Sequence, residues 1–175
     1  MNERPDAPEG AGKPLNVLFL CTHNSARSIL AEALLNAMGQ GRFKGYSAGS
    51  SPRENQKPNP LGLQVLASAG IATEGLRSKS WDEFAQAGAP QMDLIITVCD
   101  AAAGEVCPIW PGHPARAHWG YADPSAGDAP DSKKLEAFRQ TVHLIKRRLD
   151  LLINLPPEKL EHALLETVAR DLAKV

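Results

Sequence analysis

Apolar positions along this 175-residue chain fall into two kinds of run. Leu15 to Leu20 is short and apolar apart from Asn16, which suits a strand buried on both faces of a parallel sheet, and Met92 to Val98 is the most strand-like run in the sequence. Phe43 to Ser50 and Ala115 to Trp119 read as two further short strands. Between them the spacing turns helical. Ser28 to Met38 sets Ile29, Ala33, Leu34 and Ala37 on one side and stops near Gly39. Pro60 to Ala69, closed by Gly70, offers Leu63, Val65 and Leu66 for burial. Lys133 to Ile153 carries a long stripe of Leu135, Phe138, Val142, Ile145, Leu149 and Leu152. After the break at Pro156-Pro157, Glu158 to Ala173 resumes helical spacing with Leu160, Leu164, Leu165, Val168 and Leu172. Alternating elements of these lengths predict an α/β fold around a mainly parallel sheet. Residues 1–13, rich in Pro, Gly and acids, are expected to form a flexible arm, 14–155 the domain, and 156–175 an appended helix packed against it. The alternative use of that last stripe is a homodimer contact, so a monomer or weak homodimer is expected.

Composition narrows the class without changing this picture. Apolar residues at 43% and charged residues at 22% are ordinary for one soluble domain with a proper core. A net charge of −1 advertises no nucleic-acid surface. Lys146-Arg147-Arg148 reads as a solvated helix face. No apolar run is long enough to cross a bilayer, and Met1 to Gly10 lacks the apolar centre of a signal peptide, so a cytoplasmic location is expected. Three cysteines are a poor basis for a secreted disulfide framework. In a reducing compartment they are catalytic, redox-active or simply buried.

The stretch from Val17 to Ser28 carries the chemistry. An apolar run ends at Cys21, a loop of Thr22, His23, Asn24, Ser25 and Ala26 follows, and Arg27-Ser28 opens a helix. Such a loop can turn its backbone N–H groups inward as a nest for a tetrahedral oxyanion at the helix N-terminus. A thiol reacts as thiolate, the form favoured by a helix N-terminus and by a nearby cation, and this spacing brings Cys21 to both. Arg27 is placed to donate two hydrogen bonds to a bound anion. Ser28 is placed to donate to the thiolate, and Asn24 to brace the loop by bonding its backbone. His23 reads as structural. The bland alternative is a buried cysteine after a strand. No Gly-x4-Gly-Lys-Ser/Thr occurs, which argues against a nucleotide P-loop.

Leu18-Phe19-Leu20-Cys21-Thr22-His23-Asn24-Ser25-Ala26-Arg27-Ser28, followed by Ala31-Glu32-Ala33, resembles the active-site segment of the low-molecular-weight protein tyrosine phosphatase superfamily. Tyr46-Ser47-Ala48-Gly49, Ser78-Lys79-Ser80 and Asp123-Pro124 fall in that superfamily's order. The resemblance implies a three-layer α/β/α sandwich with a four-stranded parallel sheet, Cys21 as nucleophile and Asp123 as general acid. Its two branches are tyrosine phosphatases and thiol-coupled arsenate reductases. Cys99 and Cys107 are similar to the redox pair of the reductases. His118-Trp119-Gly120 resembles the reductase pattern, and Ser125-Ala126-Gly127 stands where phosphatases usually place aromatics. Trp119 itself reads first as a core residue.

The reductase resemblance implies a relay from Cys21 through Cys99 to Cys107, with arsenate as substrate, phosphate or sulfate as competing oxyanions, and thioredoxin or another thiol reductant as partner. It implies no cofactor and no metal. A zinc set of Cys99, Cys107, His113 and His118 has a spacing unlike common zinc modules. Glu32, Ser47 and Asn24 resemble residues that hold a monovalent cation in some reductases, although the rest of that site is not recognisable. The interval from Cys99 to Cys107 is one residue longer than in the best-known thioredoxin-coupled members. Two other functions stay open: a phosphatase for phosphotyrosine or aryl phosphates, and an oxyanion-binding redox sensor of weak turnover.

Overall fold

The computed structural model describes residues 13–103, 110 and 112–175. Its strands are β1 (Leu15–Cys21), β2 (Phe43–Gly49), β3 (Leu94–Thr97) and β4 (Ala115–His118). They form one parallel sheet in the order β2-β1-β3-β4. The helices are α1 (Arg27–Met38), α2 (Pro60–Ser68), α3 (Asp82–Ala85), α4 (Asp100–Ala103), α5 (Asp131–Ile153) and α6 (His162–Leu172).

Successive residues of a strand point to opposite faces, and β1 shows why its stretch from Val17 to Leu20 had to be apolar. Val17 and Phe19 face a core built with Leu30 and Leu34 of α1, Leu66 of α2, and Phe138, Ile145 and Leu149 of α5. Leu18 and Leu20 face a second core with Trp81, Phe84, Met92, Ile95 and Trp110. The sandwich therefore has three layers, and its second covering layer is thin, made of α3 and loop aromatics. No helix among the described residues is long and apolar enough to cross a membrane.

The helices differ from the stripes in instructive ways. α1 also buries Leu30, Ala31 and Leu35, while Ala37 points to solvent. It lies among β1, β2, α2 and α5, and a helix with neighbours on several sides loses the clean single face that periodicity assumes. Five of the six stripe residues of α5 are buried, with Leu135 half-buried against the same core. Arg148 is not merely solvated. Its guanidinium stacks over the Tyr121 ring at 4.9 Å and donates to the Ala173 carbonyl at 3.1 Å. The single helix expected from Glu158 is divided: a 3-10 turn at Pro157–Leu160, an extended Glu161, then α6.

α6 covers β4, the edge strand. Leu165 and Ala169 are buried, whereas Leu164 is exposed. The Arg116 N–H donates to Glu166 and the Arg116 carbonyl accepts from Arg170, so side chains of α6 pair the free edge of β4. Trp119 is fully buried and its indole N–H donates to the Ala169 carbonyl at 2.9 Å. Truncation of Trp119 to alanine is expected to cost about 3–5 kcal/mol, the range for a large aromatic leaving a cavity. A urea midpoint close to that of the wild type would refute this.

Candidate active site

The parallel strands deliver their C-terminal ends to one edge, and the site is assembled there. β1 ends at Cys21, and α1 begins at Arg27, so only Thr22 to Ala26 separate strand from helix. Asn24 adopts φ +55° inside this loop, a left-handed conformation that asparagine tolerates better than most residues and that its surroundings hold here. The holding groups are visible. Ser78 Oγ donates to the Asn24 carbonyl, and the Lys79 N–H donates to Asn24 Oδ1 at 2.9 Å. At the end of β2, a Cβ on Gly49 would come within 2.7 Å of the Thr22 carbonyl. Glycine is what lets the strand and the loop lie so close.

These contacts fix the hydrogen bonds at the thiol. A backbone N–H must meet an oxygen, so the Lys79 amide sets which end of the Asn24 carboxamide is which. Its Nδ2 therefore donates to Ser28 Oγ at 2.8 Å. Ser28 Oγ, already accepting, has its own proton available for Cys21 Sγ, 2.8 Å away. The Asn24 N–H points at the same sulfur at 3.2 Å. Two donors thus converge on Sγ, the arrangement that suits a thiolate. Asn24 braces the loop by reaching Ser28 and a segment 55 residues away, rather than the backbone of the loop itself.

Arg27 Nη1 donates to the Tyr121 carbonyl at 2.9 Å, and Nη2 lies 3.9 Å from Asp123 Oδ2. Asp123 Oδ1 accepts from both the N–H and the hydroxyl of Ser125. Cys21, Arg27 and Asp123 line one cleft of about 440 Å³ together with Arg53, Gln56 and Lys57 from the β2–α2 loop. Thr22, His23, Ser25 and Ala26 line it too. Among the described residues neither Arg53 nor Lys57 is paired with a carboxylate, so the mouth carries uncompensated positive charge. Among the described residues no Phe, Tyr or Trp lines the cleft, and His23 supplies the one ring of an aromatic kind.

Cys99 follows β3 and is buried, with its Sγ 3.6 Å from Thr22 Oγ1. Neither Cys21 nor Cys99 is in a disulfide. Cys107 lies outside the described residues.

Beneath the loop, Lys79 Nζ sits 3.7 Å from Glu32 Oε1 and donates to the Arg77 carbonyl, while Ser47 donates to the same carboxylate. Burial pushes the Lys79 ammonium below its ordinary value, and the Glu32 carboxylate partly restores it. Glu32, one of the residues likened to a cation site, thus already faces a cation of the protein's own. Lys79→Ala leaves Glu32 without its counter-charge and is expected to destabilise the fold by about 2 kcal/mol. Joint replacement by Lys79→Met and Glu32→Gln is expected to recover much of that loss. Urea unfolding of the two proteins is the check, and a double variant less stable than the single one would contradict it.

Several of these residues were not marked by the sequence. Tyr121 acts through its carbonyl, which any residue type would offer, and although Ser78-Lys79-Ser80 stood out, the hydrogen bond of the Lys79 amide to Asn24 was not readable from it. Arg53 and Lys57 lay in a stretch readable only as a polar, proline-bearing loop.

A cysteine presented this way, with an arginine six residues on and a parallel sheet behind it, defines a class of enzymes that form a covalent bond to a tetrahedral oxyanion. The chain belongs to the low molecular weight phosphotyrosine protein phosphatase family, whose pattern matches residues 16–169. An arsenate reductase of Halalkalibacterium halodurans is 32% identical over 133 residues, which is 76% of this chain and 91% of that protein. The solved thioredoxin-dependent arsenate reductase of Corynebacterium glutamicum superposes with a TM-score of 0.53 at 25% identity, over 83% of this chain and 68% of that one. An arsenate reductase solved in a phosphate-binding state superposes with a TM-score of 0.59 at 25% identity, over 79% and 96%.

Proposed function

We propose that the protein reduces arsenate to arsenite by a thiol relay that starts at Cys21. The loop amides and Arg27 hold the oxyanion, and the Cys21 thiolate attacks arsenic as one arsenate oxygen, protonated by Asp123, departs as water. The Cys99 thiolate then attacks Cys21 Sγ. The S–As bond breaks, its electron pair stays on arsenic, and arsenite leaves behind a Cys21–Cys99 disulfide. Cys107 attacks Cys99 in turn and frees Cys21. The resulting Cys99–Cys107 disulfide is reduced by thioredoxin or a similar dithiol through exchange. Two thiols supply the two electrons, and no cofactor enters the balance.

The observation that carries this reading is the second buried thiol at the same sheet edge as the first. β1 and β3 are neighbours, with the Val98 N–H donating to the Leu20 carbonyl at 2.8 Å. The register sets Leu20 beside Thr97, so Cys21 and Cys99 stand one residue out of step at the ends of adjacent strands, and Cys99 Sγ lies 3.6 Å from the hydroxyl of Thr22, the residue after Cys21. A phosphatase needs no such thiol, because water releases its adduct. The cleft also favours a small inorganic dianion, since its lining offers Arg53 and Lys57 and, among the described residues, no Phe, Tyr or Trp on which a phosphotyrosine would stack.

The test is arsenite release with thioredoxin, its reductase and NADPH, and with glutaredoxin or mycothiol systems, for the wild type, Cys99→Ser and Cys107→Ser. Both variants are expected to lose turnover. Equal rates in all three proteins would refute the relay. Hydrolysis of aryl phosphates without arsenate reduction would favour the phosphatase reading. Tight anion binding with feeble turnover and a reversible Cys99–Cys107 disulfide would point to a sensor.

A further inference from the structure

The turn that carries Cys99 is gripped from both sides by one imidazole. His118, the last residue of β4, turns its ring back toward the exit of β3. Its Nδ1 lies 2.8 Å from Thr97 Oγ1 and 3.1 Å from the Thr97 carbonyl, and its Nε2 lies 2.8 Å from Asp100 Oδ1. Thr97 stands two residues before Cys99 and Asp100 one residue after it. The backbone that leaves β4 adds two more bonds to the same turn. The Trp119 N–H donates to the Thr97 carbonyl and the Tyr121 N–H to the Val98 carbonyl.

Solvation does not explain this grip. The Asp100 side chain is 94% exposed, and a carboxylate so placed is satisfied by water without any protein partner. Its bond to His118 therefore has a geometric consequence rather than a desolvation one. The adjoining residue makes room for it, since a Cβ on Gly120 would meet both Asp100 Oδ1 and His118 Nε2 at 3.2 Å. Cys99 needs such support because its own strand ends early. β3 stops at Thr97, and the Val98 N–H to Leu20 bond is the last to tie this turn to β1.

We propose that His118 is a positioning residue for the reductive step: by bridging Thr97 and Asp100 it holds Cys99 in line for attack on Cys21 Sγ. The inference rests on the relay proposed above. Transfer of the electron pair to arsenic requires the incoming sulfur, Cys21 Sγ and arsenic to be nearly collinear. Misplacement of a reacting group by about 1 Å costs on the order of 10²-fold. His118 and Asp100 do not line the oxyanion cleft, so the binding of arsenate is independent of them.

The decisive measurement is a single turnover in the Cys107→Ser background, in which the reaction ends at the Cys21–Cys99 disulfide and needs no added reductant. Arsenite release after mixing with arsenate is followed for the parent protein and with His118→Ala, Asp100→Ala or Asp100→Asn added. Both alanine variants are expected to release arsenite about 10- to 100-fold more slowly. Asp100→Asn, which keeps an acceptor oxygen for the ring, is expected to restore most of the rate. The inhibition constant of phosphate, measured in the otherwise wild-type proteins, is expected to stay unchanged. Release at the parent rate in both alanine variants would overturn the proposal. So would a parallel loss of phosphate binding, which would mark a general structural defect. The relay has its own control: if Cys99→Ser releases arsenite as fast as the parent, the relay fails, whereas a dead Cys99→Ser beside fully active His118→Ala and Asp100→Ala sinks the clamp alone.

Discussion

An Arg27→Lys protein is expected to fold normally and to lose arsenate turnover by roughly 10²–10³-fold, the scale of removing one preorganised donor from a developing anion. Charge is conserved in this change, so the loss isolates geometry. The guanidinium spends one N–H on the Tyr121 carbonyl at 2.9 Å and turns another toward Asp123. Its planar fork has donors left for the oxyanion, whereas an ammonium on a flexible stem cannot hold the carbonyl and two anion oxygens in fixed directions. The check is kcat/KM for arsenate beside a thermal melt. Turnover near that of the wild type would sink the role of the fork, and a lowered melting temperature would implicate the link to Tyr121 instead.

Cys21→Ser separates binding from chemistry more sharply. Arsenate reduction is expected to fall by roughly 10⁴-fold or more, as when a covalent nucleophile is removed from a site that otherwise stands. Phosphate binding should survive. The donors that converge on Sγ, Ser28 and the Asn24 N–H, will also accommodate a hydroxyl, and the remaining loop amides and Arg27 are untouched. Calorimetric titration with phosphate together with the coupled arsenite assay reads both quantities. Loss of phosphate binding in the variant would mean that the sulfur shapes the nest as well as reacting in it.

Much of this architecture was legible because burial on both faces of a parallel strand forces an uninterrupted apolar run. Val17 to Leu20 and Leu94 to Ile96 show it, and the stripe of α5 is equally plain. α3 and α4, at four residues each, are too short to show any period. The break between the 3-10 turn and α6 rests on the extended Glu161, a residue type that gives no sign of a stop. The loop chemistry was readable as far as it is local: Cys21, Arg27 and Ser28 lie within eight residues of one another. What was illegible is long-range or made by backbone. Two partners of Asn24, Ser78 and Lys79, are 54 and 55 residues distant, and the brace on Arg27 is a carbonyl 94 residues on. The grip of His118 on the Cys99 turn joins two strands, and no local pattern encodes that pairing.

The pairing of Arg116 with Glu166 and Arg170 has a meaning beyond stability. A parallel sheet left open at an edge is a template for further strands from other molecules, and natural proteins protect such edges with charge or cover. Here the cover is α6, which follows β4 only after the whole of α5 and the 3-10 turn. A chain cut before His162 lacks that cover and leaves the edge of β4 bare. Such truncated chains are expected to form light-scattering aggregates at concentrations where the full chain stays dispersed. That outcome would give α6 a role as a guard against self-assembly, separate from the chemistry of the cleft.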